Sequence, residues 1–454
     1  MSDGIQVEPL ALTIDAVGAT GDGTGQTAAG QRIFVPYALP GERVRAAPLA
    51  ARGGGLAARL EQVLAPSPDR IAPACPHFGT CGGCALQHWA AAPYLAWKAA
   101  LLREALARAG YADPPVAPTV ATAPGARRRM DLALRRTGGA VRVGLHRARG
   151  AEVVDLAACP VLQPALAALI DPLRVLLRGL AALRREGSAV ANLYETGPDL
   201  VLRTDAEASA ADRARLVAFA RAQGLPRLSW ARGDAAPEPI LVQHPPEAVF
   251  SAVAVAPPPG AFLQASATGE AAILAAVRAA LTGPAGVTRL APRARIIELY
   301  AGIGTLTFAL AGLARVSAYE GDAEAFAALR AAAAKAGLTG RIGVERRDLT
   351  QRPLQPADFA GAAAVVLDPP QAGAAAQMEA LAAAALPAVI YVSCNPATLA
   401  RDAARLRAAG YVLEAATPID QFLWSARLES VSVFRHPAGT DARGRMRRAR
   451  PLFG

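Results

Sequence analysis

The sequence lacks the marks of a membrane, secreted or disulfide-stapled protein. No apolar run approaches the roughly 20 uncharged residues that a bilayer-crossing helix needs. The start, Met1-Ser2-Asp3-Gly4, has no basic segment followed by an apolar one. No signal peptide is therefore expected, and a cytoplasmic location is. Five cysteines in 454 residues argue against a disulfide framework, which belongs to small secreted domains. Aromatic residues make up only 5%, so the cores must be built from Leu, Val, Ile and Ala. Lysine is nearly missing: Lys98 and Lys335 are the only two.

Arginine takes its place. Net charge is +11 and the pI about 10.0, carried almost wholly by guanidinium groups. Their planar fork matches phosphate, so the expected partner is a nucleic acid, with RNA as the reading developed below.

The length is too great for a single core, and the chain divides at its proline-rich stretches. Residues 1–65 read as a small OB-like β-barrel. Leu12 to Val17, Arg32 to Tyr37 and Glu42 to Ala46 are its strands, and Gly18 to Gly25 a turn-rich loop. Residues 66–260 carry most of the cysteines, a helix over 93–110, and an α+β pattern. A basic hairpin turns there at Gly138-Gly139, with Arg127, Arg128, Arg129, Arg135, Arg136 and Arg142 as a phosphate-binding surface. Residues 261–436 alternate strands and helices, the pattern of an α/β, doubly wound sheet. Residues 437–454 hold Arg443, Arg445, Arg447, Arg448 and Arg450 without an apolar period, and read as a disordered basic tail.

Within the α/β segment, Glu298-Leu299-Tyr300-Ala301-Gly302-Ile303-Gly304 joins a strand to a helix. Gly302 and Gly304 let the backbone approach a ligand. A dinucleotide fingerprint would need a third glycine where Thr307 stands. Glu320 ends the next strand and can take a ribose hydroxyl pair; Asp348 follows another strand and can face an adenine edge. Ribose and adenine without a pyrophosphate suit S-adenosylmethionine.

Cys75, Cys81 and Cys84 form a C-x5-C-x2-C cluster, with Cys159-Pro160 far downstream. This fits an iron–sulfur pattern better than the paired short knuckles of structural zinc; zinc and free thiols are the alternatives. Cys394 is then the only candidate thiol nucleophile. It follows the apolar run Ala388 to Val392, at a strand end where open α/β sheets place their chemistry. Leu367-Asp368-Pro369-Pro370 lies upstream.

These stretches resemble the RNA uracil-C5 methyltransferases, most closely the iron–sulfur branch that modifies 23S ribosomal RNA. The resemblance rests on Phe34 to Glu42, similar to a TRAM barrel, on Cys81-Gly82-Gly83-Cys84-Ala85-Leu86-Gln87-His88, on Tyr391 to Leu399, and on Arg427-Leu428-Glu429-Ser430-Val431. It implies a Rossmann-like S-adenosylmethionine domain whose cofactor is lined by Gln264, Tyr300, Thr305, Glu320, Asp348 and Asp368. It implies Cys394 as nucleophile and Glu429 as base. Cys75, Cys81, Cys84 and Cys159 would hold a four-iron four-sulfur cluster. The chain departs from the family at Thr305, where Asn is common, at Gln371, where Arg follows Asp-Pro-Pro, and at Arg427, where His is usual. A tRNA uridine methyltransferase and a noncatalytic iron–sulfur RNA-binding protein are the competing readings. No obligate protein partner and no membrane are expected.

Overall fold

A computed structural model of the chain describes residues 8–283, 290, 291 and 293–437. Strands β1 (Leu10–Val17), β2 (Asp22–Gln26), β3 (Arg32–Pro36), β4 (Arg43–Arg52) and β5 (Gly55–Ala65) close a barrel in the order β1-β2-β3-β5-β4. Alternate residues face its core, among them Leu12, Ile14, Ile33, Val35 and Val44. The stretch read as a loop, Gly18 to Gly25, runs into strand β2. Gly21 turns the chain with a φ of +83°, whereas Gly23 and Gly25 serve close approach. A Cβ on Gly23 would lie 2.7 Å from the Ala38 carbonyl oxygen, and one on Gly25 2.4 Å from that of Thr13.

Helix α1 (Ala91–Arg108) follows. Next come β6 (Arg129–Thr137), β7 (Ala140–His146), β8 (Val153–Asp155), α2 (Pro164–Ala167), α3 (Ile170–Arg178), β9 (Glu186–Tyr194), β10 (Gly197–Thr204), α4 (Ala210–Ala222), β11 (Arg227–Arg232) and β12 (Glu238–Val242). They build a seven-stranded sheet in the order β12-β11-β10-β9-β6-β7-β8, with the expected hairpin at Gly138-Gly139. A two-stranded ribbon, β13 (Ala248–Phe250) and β14 (Val253–Val255), leads to the last unit.

That unit comprises α5 (Ala267–Leu281), β15 (Arg295–Leu299), α6 (Thr307–Ala311), β16 (Arg315–Glu320), α7 (Ala323–Lys335), β17 (Ile342–Arg346), β18 (Ala362–Leu367), α8 (Ala375–Ala383), β19 (Ala388–Ser393), α9 (Pro396–Ala408), β20 (Val412–Ile419) and β21 (Glu429–Arg435). The sheet runs β17-β16-β15-β18-β19-β21-β20, parallel except for β21. Helices cover both faces, so β19 is buried along its whole length and reads as an unbroken apolar run.

Order along the chain puts α1 with the central segment. In the structure it packs on α9 and β20, and Trp97, Leu102 and Tyr111 join the core beneath this last sheet. Val116 and Val120 extend this by bridging to Ala416 and Ile419. The basic tail, from residue 438 on, lies outside the described residues, as do residues 1–7.

Candidate active site

Strand register assembles the site. Ser393 pairs with Ser430 across the antiparallel β19–β21 ladder. Cys394, one residue past β19, is therefore set beside Glu429, the first residue of β21. On the other side of β19, Leu367 of β18 pairs with Tyr391, which leaves Asp368 at the same sheet edge. The chain turns sharply after Cys394 because Asn395 caps α9, accepting from the Ala397 amide at 3.0 Å, and Pro396 opens the helix.

The edge is crowded with carboxylates. Burial pushes Asp368 up to about 6, against a hydrogen bond from Gln264. Burial, then the charge of Asp368, pushes Glu429 well above the usual carboxylate range. Glu298, buried in β15, is pushed up to about 8 by burial, with Asp368 and Glu320 adding. The half-buried Cys394 thiol is pushed up to about 11 by burial, then by the charges of Glu429 and Asp368, while Arg427 pulls it down. Such a site favours a cationic ligand, which lets the carboxylates stay ionised.

Beside it lies the glycine turn. Tyr300, Gly302 and Gly304 have φ of +62°, +56° and +104°. A Cβ on Gly302 would meet open space; one on Gly304 would lie 2.5 Å from Phe308. Glu320 accepts from the amides of Gly302 and Asp322, both at 2.7 Å, one on each carboxylate oxygen, and so fixes the turn. Asp348 accepts from the Thr350 and Gln351 amides at the end of β17. Thr305 is half-buried within the turn. Gln264 is 3% exposed and donates to Asp368 at 3.0 Å. Paired acids at the ends of neighbouring parallel strands, an open glycine turn and a carboxylate-rich edge fit S-adenosylmethionine, which carries a ribose, an adenine and positive charge.

The loop 420–428, between β20 and β21, carries residues that sequence reasoning passed over. Gln421 donates to Glu429 at 2.6 Å and to Gln264 at 2.9 Å. Lys98 of α1 and Asp420 form a fully buried ion pair at 3.0 Å. Lys98 also donates to the Arg427 carbonyl. Asp420-Gln421, a polar pair directly after the buried end of β20, was a readable signal akin to Asp368 and Cys394.

The four other cysteines surround one cavity of about 540 Å³, also lined by Phe422 and Arg427 of that loop. Gly82 and Gly83 hug the hairpin: Cβ atoms there would lie 2.9 Å from the His146 carbonyl oxygen and 2.8 Å from Leu145. Among the described residues, no group of three or more His, Cys, Asp or Glu is gathered tightly enough for a single metal ion. The Trp424 carbonyl accepts from the Ala85 and Leu86 amides at 2.8 and 3.0 Å, so the cysteine loop is tied to the loop that leads into β21.

Several hairpin arginines are spent inside the protein. Arg136 donates to the carbonyl of Leu177 in the last turn of α3 and to those of Leu180 and Leu183 beyond it. Arg128 is 12% exposed and paired with Glu270. Arg135 and Arg142 are paired with Glu186 and Glu152. Arg129 lies 5.3 Å over the exposed Phe262 ring, a cation and an aromatic side by side. The phosphate-binding surface expected of all six is thus narrower by Arg128 and Arg136, whose donors are claimed by partners within the fold, whereas Arg135 and Arg142 stay exposed in surface pairs. Among the described residues, no helix is long and apolar enough to cross a membrane.

The sequence family described as tRNA (Uracil-5-)-methyltransferase matches residues 345–436, which include Asp368, Cys394 and Glu429. A Caulobacter vibrioides chain described as an uncharacterized RNA methyltransferase is 41% identical, covering 93% of this chain and 99% of its own. A Halomonas elongata chain named 23S rRNA (uracil(1939)-C(5))-methyltransferase RlmD is 36% identical, covering 94% of this chain and 89% of its own. The crystal structure of Pyrococcus abyssi tRNA (uracil-54, C5)-methyltransferase in complex with S-adenosyl-L-homocysteine shares the fold. Its TM-score is 0.71 at 19% identity, covering 94% of this chain and 100% of the other. With the barrel, the sheet and the strand-end cysteine in place, the chain belongs to the RNA uracil-C5 methyltransferases, enzymes whose methyl donor is S-adenosylmethionine.

Proposed function

We propose that the protein methylates carbon 5 of one uridine in 23S ribosomal RNA, in the cytoplasm, through a covalent adduct between Cys394 and carbon 6 of the uracil. The observation that carries this is the β19–β21 register, which sets a thiol beside a buried carboxylate at the sheet edge that also holds Asp368. Carbon 5 of uracil is a poor nucleophile. Addition of the Cys394 thiolate to carbon 6 forms a bond there and moves electron density onto carbon 5. S-adenosylmethionine, when bound, supplies an electrophilic methyl that this carbon takes. Glu429 then removes the proton from carbon 5, the carbon 5–carbon 6 double bond re-forms, and Cys394 leaves as thiolate. Covalent catalysis divides one hard step into easier ones. Gln264, Tyr300, Gly302, Gly304, Thr305, Glu320, Asp348 and Asp368 line the donor in this reading. The target base must leave any stack to reach the edge.

Cys75, Cys81, Cys84 and Cys159 would hold a four-iron four-sulfur cluster. Four thiols lining one cavity, three of them in the C-x5-C-x2-C spacing, are what this reading rests on. Such a group would tie the cysteine loop to Cys159-Pro160. Anaerobically purified protein should carry about four irons per chain; stoichiometric zinc would overturn this assignment.

Ribosomal RNA is favoured by relatives of 36% identity named for 23S rRNA and matched over nearly their whole length. The tRNA reading has the Pyrococcus fold on its side, at lower identity. The test compares methyl transfer to protein-free 23S rRNA and to unmodified tRNA. A higher kcat/KM on tRNA would refute the substrate and leave the chemistry standing. RNA carrying 5-fluorouridine should trap the wild type in a denaturation-stable adduct and leave Cys394→Ala free; an adduct with that variant would refute the nucleophile.

A further inference from the structure

Two carboxylates and two amides form a single hydrogen-bonded array behind the reacting edge. Asp368 Oδ2 accepts from Gln264 Nε2 at 3.0 Å. Gln264 Oε1 accepts from Gln421 Nε2 at 2.9 Å, and that same nitrogen donates to Glu429 Oε2 at 2.6 Å. Every amide orientation in the array is forced by chemistry. With both end carboxylates ionised they can only accept, so Gln264 turns its nitrogen to Asp368 and its oxygen to Gln421. Gln421 then faces two acceptors, and only its NH2 group has two hydrogens to give.

We propose that Gln421 is a positioning residue for methyl-adduct resolution, clamping Glu429 by one oxygen, and that Gly269 of α5 is the space this clamp requires. The proposal rests on the reading of Glu429 as the base. Gln421 is 4% exposed and sits in the loop before β21, where Ile419 pairs with Glu429. A Cβ on Gly269 would lie 2.7 Å from Gln421 Cβ and 2.9 Å from its Oε1. Gly269 has no positive φ to explain it. It stands in the first turn of a helix, where glycine is unfavourable relative to alanine. Room for Gln421, and for the capping Ser266 hydroxyl 2.9 Å from the same Cβ, is the reason the geometry offers.

The clamp has a chemical consequence. With Oε2 held, Glu429 Oε1 is buried and has no partner. One oxygen is fixed and the other is bare, the arrangement a base needs to take a proton from a defined direction. The donated N–H also favours the ionised carboxylate against burial and against the charge of Asp368. Asp368 and Cys394 are the titratable groups facing Glu429 across the edge, and Arg427 faces Cys394 from the same loop.

The test uses the full-length enzyme with Gln421→Met, which keeps volume and removes the donor, and Gly269→Ala, which pushes on the clamp from α5. Formation and decay of the covalent protein–RNA species are followed separately on denaturing gels across pH, with Glu429→Gln in parallel. Decay should slow about 10- to 100-fold in both clamp variants, as for loss of a charge-assisted hydrogen bond, while formation changes by less than about threefold. The pH midpoint of decay should rise, because the carboxylate has lost its donor. Wild-type decay and midpoint in Gln421→Met, with Glu429→Gln stalled, would overturn the clamp alone. Equal slowing of formation and decay would mark a merely structural role and also overturn it. Wild-type decay in Glu429→Gln would overturn the base itself. The two variants reach the clamp from different elements, so misfolding of one leaves the other to decide.

Discussion

Replacing Lys98 by methionine should loosen the loop 420–428 that leads into Glu429. Lys98 Nζ lies 3.0 Å from Asp420 Oδ1, and both side chains are fully buried. At that distance two unit charges attract by about 5.5 kcal/mol at an effective dielectric of about 20. Desolvation takes back much of this: burial pushes the Lys98 ammonium down and the Asp420 carboxyl up, each opposed by the other's charge. Removing one partner leaves the other charge buried, which costs about 3–5 kcal/mol. The lower end is expected, since the Tyr94 hydroxyl still donates to Asp420 at 2.9 Å. About 3 kcal/mol is on the order of 100-fold in local opening. The amides to watch are Ala85 and Leu86, held by the Trp424 carbonyl, and Trp424, which donates to Tyr94 at 2.8 Å. Hydrogen exchange at these three should accelerate in Lys98→Met. Adding Asp420→Asn should recover part of the loss, because the orphaned charge is gone. Exchange within about threefold of wild type in Lys98→Met would refute the reasoning and leave the ion pair a bystander.

Gly304→Ala should weaken S-adenosylmethionine binding by at least about 10-fold, because the left-handed backbone alone costs an L-residue about 1–2 kcal/mol and Phe308 blocks the Cβ; an unchanged Kd by calorimetry would contradict this. Cys394 should alkylate slowly at pH 8 in the free enzyme, since its thiol is pushed up to about 11, and Glu429→Gln should speed it several-fold by removing a facing negative charge; slower or equal alkylation would be inconsistent. In the barrel, burial opposes the Glu42 carboxylate, but hydrogen bonds from Arg70 and from the Leu39 and Ser67 amides hold it below its ordinary value. Its stabilisation is therefore present above about pH 4.3 and lost as pH falls through the depressed value. The urea midpoint of the wild type should drop more between about pH 5 and pH 3 than that of Glu42→Gln; parallel curves would refute the assignment.

The sequence by itself determined what local pattern and chemistry can encode. The apolar run Ala388 to Val392 could only be a strand buried on both faces, and a polar residue directly after it could only stand at the sheet edge. Glycines at 302 and 304 after a strand announced a tight, ligand-facing turn. The strand–helix alternation from 295 onward announced the sheet. Tertiary structure decided the matters that depend on which segments meet. Gly23 and Gly25 looked like turn residues until the Ala38 and Thr13 carbonyls were packed against them. Helix α1 left its neighbours in sequence for α9 and β20, because its apolar face, with Trp97 and Leu102, found its complement there. The arginines at 128 and 136 counted as surface charge until Glu270 and the carbonyls at and beyond the end of α3 claimed them. Gln421 was one polar residue in a loop until the antiparallel return of β21 brought Glu429 to one side of its amide and Gln264 to the other. An amide reads as a spacer in a string of letters; its two hydrogens acquire a meaning only when the fold sets two acceptors in front of them.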